Sequence, residues 1–450
     1  MTRTVRSCFA ACLLFVAACA TTQPAVTTSA ASDTSWIVRP ALYEVFVRDF
    51  SAAGNFQGLI DGLDRIQAAG SNVLWLMPIY PLGQLNKKGT IGSPYAVADY
   101  RGINPDFGGA ADFRRLLDAV HARGMKLILD FVPNHTAWDH VWMQQHPDFY
   151  TRDANGKVMV PMDNSGNPTD WTDVADLNYN NPAMRQAMIA DMRYWLENFD
   201  VDGYRMDVAH FVPDDFWKEA IANLHSIRPI LMLAEAGEAR QHTNGFHLSY
   251  GWDSYGGLKE VWHKAASAAQ WTAHQVDDVN LPNNGRRLHF TTNHDETGWD
   301  QPPVTLFGGA AGARAAFVAM TLLPGAPLLY NGQEVESPQK LPLFEKEPVN
   351  WNQPNASATI GFYRKVIDLN RTGGDFAGRD MKVIETNLPN DVIAYQRGNA
   401  VVLVNTRNRA LTLAATGMKL EGARDLLSGG EQKTDTVALA PYGVLVLKLH

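Results

Sequence analysis

Eight short apolar runs recur along the first three-quarters of the chain, and amphipathic helical stretches separate most of them. This alternation constrains the fold more than any other feature, because βα units repeated along a chain build a parallel sheet. The runs are ALYEVFV (41–47), NVLWLMP (72–78), KLILDFV (126–132), GYRMDV (203–208), ILMLAE (230–235), FHLSYG (246–251), LHFTTN (288–293) and APLLYN (326–331). Eight strands of this kind predict an α/β fold, a closed (β/α)8 TIM barrel rather than an open doubly wound sheet. The helical stretches support it by period: DFRRLLDAVHARG (112–124) sets Phe113, Leu116, Leu117 and Val120 on one face, and MRQAMIADMRYWLENF (184–199) repeats the pattern. These stripes are core.

The barrel is expected to occupy residues 35–372, ending with the helix SATIGFYRKVIDLNR (357–371). Between its third strand and the helix near Pro182 lies a polar, aromatic insertion, 137–181, too long for a simple βα connection. It predicts a short excursion over the barrel mouth. From 373 to 450 the pattern changes to short strands such as DVIAYQR, AVVLVNT and GVLVLKL, which predict a C-terminal all-β sandwich.

At the other end, Arg3 and Arg6 precede the apolar run FAACLLFVAA, which reads as a signal peptide over 1–19. The run closes Val16-Ala17-Ala18-Cys19, similar to a bacterial lipobox, so Cys19 is the expected lipidation site and a lipid anchor the expected route to the membrane, in the periplasm or at the outer membrane. Ordinary cleavage after Ala18 to Ala20, releasing a soluble secreted protein, is the alternative. Residues 20–34 read as a flexible tether. All three cysteines, Cys8, Cys12 and Cys19, fall in the leader, so the mature chain holds no pair to oxidise. A formal net charge of −8 without a Lys/Arg run argues against a nucleic-acid partner and leaves neutral substrates such as polysaccharides open.

Reactive groups of a (β/α)8 barrel sit at the C-terminal ends of its strands. Here the third run closes Asp130-Phe131-Val132-Pro133-Asn134-His135, the fourth Arg205-Met206-Asp207, the fifth Glu235 and the seventh Asn293-His294-Asp295. Carboxylates and histidines therefore converge on one mouth. Glycosidic cleavage needs such a set: one carboxylate to attack the anomeric carbon and one carboxylic acid to protonate the leaving oxygen. Arg205, two residues before Asp207, shares its face on a strand and is expected to lower its pKa. Glu235, at the end of an apolar strand, is expected to be raised and to act as the acid.

These segments resemble the α-amylase family, glycoside hydrolase family 13. Its four signatures find counterparts in order, DFVPNHT at 130, GYRMDVAH at 203, LMLAE at 231 and FTTNHDE at 290, supported by YAVADYRGINPDFGG at 95 and GAPLLYNGQE at 325. The resemblance implies retaining hydrolysis of α-1,4-glucosidic bonds in starch or maltooligosaccharides, with Asp207 as nucleophile, Glu235 as acid/base and Asp295 as transition-state stabiliser. It implies that Tyr95, His135, Arg205 and His294 bind or orient the substrate and the nucleophile. The chemistry needs no cofactor. Many relatives hold a structural Ca2+, and Asn134 and Asp176 match two of its ligands.

Several alternatives stand beside this reading. Ala234 precedes Glu235 where the family usually has Gly, and Gly237-Glu238 offers the literal match; Glu235 is preferred because it ends its strand. A cyclomaltodextrinase or neopullulanase, or an α-glucan transglycosylase, would carry the same triad, and a noncatalytic starch-binding lipoprotein would have lost part of it. Asp130 is expected to position Arg205, not to react. His121, His225 and His263 read as surface or packed residues of helices. Among Trp75, Trp138, Trp142, Trp171 and Trp299, Trp75 follows a core pattern, and the insertion tryptophans are subsite candidates.

Overall fold

In the computed structural model, which describes residues 1–2 and 34–450, the eight apolar runs form the eight strands of a closed parallel barrel. In chain order the strands are β1 (Leu42–Val45), β2 (Val73–Leu76), β3 (Lys126–Phe131), the insertion strands β4 (His135–Ala137) and β5 (Val174–Asp176), then β6 (Gly203–Met206), β7 (Leu231–Ala234), β8 (Leu248–Tyr250), β9 (Arg286–His289) and β10 (Gly325–Tyr330). Around the barrel they run β1-β10-β9-β8-β7-β6-β3-β2. The expected leader, with Cys19, and the tether through residue 33 lie outside the described residues. No helix among the described residues is long and apolar enough to cross a membrane.

The helices between the strands start where local chemistry satisfies their free N–H groups. The Asn55 side chain caps helix Phe56–Ala68 by accepting from Gly58 N at 2.9 Å. Asn181 does the same for Pro182–Phe199, accepting from Ala183 N at 2.9 Å, with Pro182 preset for the first turn. Helix Ala110–Ala122 buries Phe113, Leu116, Leu117 and Val120 against the barrel, the stripe its period predicts.

Strands and apolar runs differ mainly at their ends. The seventh strand is Arg286–His289, four residues ahead of the end of its run, because Asn293 turns the chain. The Asn293 side chain accepts from Glu296 N at 2.9 Å and starts helix His294–Trp299. At Gly203 the opening of β6 approaches β7 so closely that a Cβ would lie 2.1 Å from the Leu231 carbonyl oxygen, with φ at +150°. No other residue type fits there.

The insertion is anchored by β4 and β5, which pair antiparallel with His135 opposite Asp176 and thereby hold the segment over the barrel mouth. After helix Ala356–Thr372, the chain forms β11 (Met381–Val383), β12 (Val392–Arg397), β13 (Ala400–Asn405), β14 (Leu411–Ala414), β15 (Arg424–Asp425), β16 (Thr436–Leu439) and β17 (Val444–Lys448). A five-stranded sheet, β11-β12-β13-β17-β15, faces the pair β14-β16 across a core that includes Val401, Leu403, Leu413 and Val437. Alternate residues of the larger sheet, Ile393, Tyr395, Val402 and Val404, join the apolar core of the barrel instead. Residues Thr34–His450 accordingly pack as one compact unit.

Candidate active site

The C-terminal ends of the barrel strands open into a cleft of 370 Å³, lined among others by Tyr95, His135, Asp207, Glu235, His294 and Asp295. The sequence expects all six at one mouth, and all six line it. Glu238, the literal motif match, is exposed and does not line the cleft.

Arg205 organises the floor. Buried on β6, it donates from Nη1 to Asp130 Oδ1 at 2.8 Å and to Asp207 Oδ1 at 2.9 Å, and from Nε to the Tyr250 hydroxyl at 3.3 Å. Its Nη2 lies 2.8 Å from Glu235 Oε1, an ion pair off the N–H axis and so outside hydrogen-bond geometry. One guanidinium therefore serves three carboxylates, and Trp75, Tyr95 and Tyr250 lie within cation–π reach of it. Asp130 takes the positioning place expected of it: its Oδ2 also accepts from Trp75 Nε1 at 3.3 Å and from the Tyr95 hydroxyl at 3.1 Å.

The electrostatics differ from the sequence expectation. Arg205 does act to lower the Asp207 carboxyl, but burial outweighs it, and Glu235 and Asp130 add their repulsion, so Asp207 titrates well above the usual carboxylate range. Proximity to Arg205 alone overlooks the desolvation that accompanies a position this deep. Asp130 is likewise pushed up to about 6 by burial, against Arg205. Glu235 is not isolated in apolar surroundings either: besides Arg205, its Oε2 accepts from Val208 N at 2.7 Å.

That last contact depends on an unusual backbone. Val208 sits at φ +37°, ψ +45°, a left-handed conformation that a β-branched residue rarely adopts. It turns the chain immediately after Asp207 and aims its N–H at Glu235, locking the two carboxylate-bearing strand ends together.

On the other side of the cleft, His294 stacks on Tyr95 with ring centroids 5.3 Å apart, and its Nε2 lies 2.8 Å from the Tyr95 hydroxyl and 3.4 Å from Asp295 Oδ2. Its Nδ1 is bound to Glu44 on β1. Burial works to lower the imidazole, but Asp295 and Glu44 overcome it and hold it at about 9, so His294 is a cation at neutral pH. His135 is the opposite case: burial drives it down to about 3, so it is neutral, with Nε2 3.9 Å from Asp207 Oδ2. Two histidines thus offer the cleft different donors, set by whether carboxylates stand behind them.

Sequence reasoning missed Glu44, although a carboxylate in the middle of the apolar run ALYEVFV is a signal in itself. It also missed Lys88, Leu343 and Phe344, cleft-lining residues on loops with no periodicity to mark them. Of the tryptophans, Trp171 and Trp299 line the cleft, Trp75 lies buried beneath it, Trp142 packs against Tyr100 and Phe149, and Trp138 donates to the Thr172 carbonyl. His121 pairs with Asp202 at 2.6 Å, His225 is half-buried and His263 exposed, all away from the cleft.

The two residues suggested for calcium are neighbours. Leu177 N donates to the Asn134 carbonyl at 3.1 Å, which brings Asn134 beside Asp176 across the β4–β5 ladder. Burial pushes the Asp176 carboxyl up to about 6, and no cationic side chain pairs with it among the described residues. A hard cation with oxygen ligands fits those two side chains. Among the described residues no three or more His, Cys, Asp or Glu side chains are arranged to hold a metal ion, so backbone carbonyls would have to complete the shell.

Comparison with known proteins agrees with this geometry. Residues 28–306 match the family model described as alpha amylase, catalytic domain. Alpha-amylase 3 of Dictyoglomus thermophilum is 28% identical, the alignment covering 92% of this chain and 94% of that protein. Among solved structures, an α-amylase from Lactobacillus plantarum superposes with a TM-score of 0.82 at 29% identity, over 92% of this chain and all of that one. A maltogenic α-amylase from Thermotoga neapolitana follows at 0.79 and 28%, with the same coverage.

Proposed function

Because the chain belongs to the α-amylase family and is an O-glycosyl hydrolase, we propose that it hydrolyses α-1,4-glucosidic bonds of starch or maltooligosaccharides with retention of anomeric configuration. The observation that carries this reading is the pair Asp207 and Glu235 drawn together on one guanidinium at the cleft floor. Retention needs carboxyl groups only about 5 to 5.5 Å apart, and a shared arginine favours that closer arrangement.

In this reading Asp207 attacks the anomeric carbon and Glu235 protonates the departing oxygen. Glu235 then takes the proton from the water that releases the glycosyl–enzyme intermediate. Asp295, with its side chain 35% exposed to the cleft, grips the hydroxyls of the distorted sugar together with the His294 cation. His135 donates as a neutral imidazole, Tyr95 offers its ring as a stacking face, and Trp171 and Trp299 extend the apolar wall to neighbouring sugars.

The test is a product profile on amylose, pullulan and cyclodextrins, with the anomer of the first product followed by NMR. Release of α-anomeric maltooligosaccharides from amylose, abolished by Glu235→Gln and kept by Glu238→Gln, is the expected result. β-Anomeric product rejects retention, and activity that survives Glu235→Gln but not Glu238→Gln rejects the acid/base assignment. Cyclodextrin or pullulan preference, or glycosyl transfer to another sugar, selects the related activities instead.

Two further proposals accompany this one. Asn134 and Asp176 hold a structural Ca2+ that fastens the β4–β5 arm to the barrel; a melting temperature unchanged by chelator rejects it. The chain is exported and acylated on Cys19; mass spectrometry of the mature N-terminus decides between the acylated form and ordinary cleavage.

A further inference from the structure

At the N-terminal end of the barrel, opposite the cleft, Arg39, Arg286, Arg379 and Arg397 surround a second, small cavity. Arg39 precedes β1 and Arg286 opens β9, whereas Arg379 and Arg397 belong to the C-terminal sheet segment, so the cluster lies where barrel floor and sheet meet. Among the described residues none of the four forms an ion pair with a carboxylate, and no Asp or Glu lines the cavity. The contrast with the next residue along is sharp: Arg287 pairs with Asp278 at 2.7 Å.

Backbone carbonyls satisfy part of the cluster. Arg397 donates to the carbonyls of Leu322, Phe376 and Gly378, and Arg39 Nη1 to that of Arg371. Arg397 Nε and Arg39 Nη2 are buried with no hydrogen-bond partner among the described residues. Arg286, half-buried, makes no side-chain hydrogen bond to the described residues at all. Burial and mutual repulsion hold Arg286 and Arg397 down at about 10, still fully charged at neutral pH.

Buried or half-buried charges are normally paired, because desolvation without a counter-ion is costly and like charges a few ångströms apart repel strongly in a low-dielectric site. Four guanidiniums gathered without a carboxylate leave a counter-ion to come from solution. The cavity, at about 10 Å³, accepts about one water-sized sphere. A monatomic halide fits that space.

We propose that these four arginines form an anion site that holds one chloride-sized ion and ties the barrel floor to the C-terminal sheet. The site is independent of the cleft and of the reaction proposed for it.

The test is thermal unfolding of the wild-type protein and of Arg286→Gln in sodium chloride titrated against sodium gluconate at constant ionic strength, which cancels general screening. Arg286 is the variant of choice because its removal strands no hydrogen-bond partner. Wild-type midpoint should rise saturably with chloride, by about 2 °C or more. Arg286→Gln should start above wild type in gluconate, relieved of one repelling charge, and gain little from chloride. Equal midpoints in the two anions, or an unchanged chloride increment in Arg286→Gln, overturns the proposal. Should Arg286→Gln fail to fold, anomalous scattering from wild-type crystals soaked in bromide decides: a peak among the four guanidiniums supports the site, and ordered water alone rejects it.

Discussion

The imidazole of His294 donates from Nδ1 to the buried carboxylate of Glu44 at 2.5 Å, a link across the barrel between residues 250 positions apart. Burial alone would strip the ring of its proton; Glu44 and Asp295 keep it charged up to about pH 9. A histidine whose folded pKa lies above its ordinary 6.5 contributes stability that is fully present below pH 6.5 and is lost as pH rises through 9. Glu44→Gln keeps the shape and removes one of the two charges. The basic limb of the kcat/KM profile should move acidward from about 9, and the high-pH loss of stability should begin earlier. A basic limb that stays in place in Glu44→Gln would show that His294 is not the group it reports.

The acid limb tests Asp207. In the proposed mechanism its carboxyl must be ionised to attack, and burial holds its titration above the usual range while Arg205 pulls it down. Arg205→Lys keeps the charge but loses the fork that reaches Asp130 and Asp207 from one nitrogen and faces Glu235 with the other. The acid limb should shift upward, and kcat should fall about 100-fold, in line with removal of a positioned electrostatic group. Near-UV circular dichroism of the variant separates this from misfolding, and an unshifted acid limb in a folded variant rejects the assignment.

The barrel was legible in the sequence because its strands are buried on both faces and appear as short apolar runs, as in VLWL and the Leu127-Ile128-Leu129 stretch of KLILDF. Asp207 and Glu235 were legible because each directly follows its strand, and Asp295 because it lies just past the turn that ends the seventh run. What escaped is what periodicity does not encode. Glu44 points inward from the middle of its strand, so only its long-range partner His294 reveals its task. The left-handed Val208 breaks the local preference of a β-branched residue, and the tertiary contact to Glu235 overrides that preference. The balance at Asp207 depends on depth of burial, which neighbouring residues in sequence do not report.

Lys88 joins two loops over the cleft. Its Nζ lies 3.5 Å from Asp173 Oδ1 and donates to the Asp170 carbonyl at 3.0 Å, linking the loop after β2 to the insertion. Lys88 is partly exposed, so the pair contributes less than about 1 kcal/mol to stability. Its larger consequence is shape. Lys88→Ala should leave the melting temperature within about 1–2 °C of wild type and raise kcat/KM on amylose relative to maltotriose, because the freed loops admit a longer chain. An unchanged ratio on the two substrates shows that the clasp does not limit access.

Val208 stores strain beside Asp207. A valine at φ +37° is disfavoured by about 1–3 kcal/mol, and glycine relieves most of that while losing some side-chain packing and gaining unfolded-state entropy. Val208→Gly should therefore be neutral or more stable by up to about 1 kcal/mol in urea unfolding, unlike most substitutions of a cleft residue. The same change loosens the turn that directs Val208 N at Glu235 and fixes the end of β6 beside that of β7. With Glu235 less well held, kcat should fall about tenfold while KM stays within a factor of two, the split expected when an interaction made in the transition state is weakened. A variant that is both less stable and fully active would mean that the left-handed turn serves folding and not the placement of Glu235.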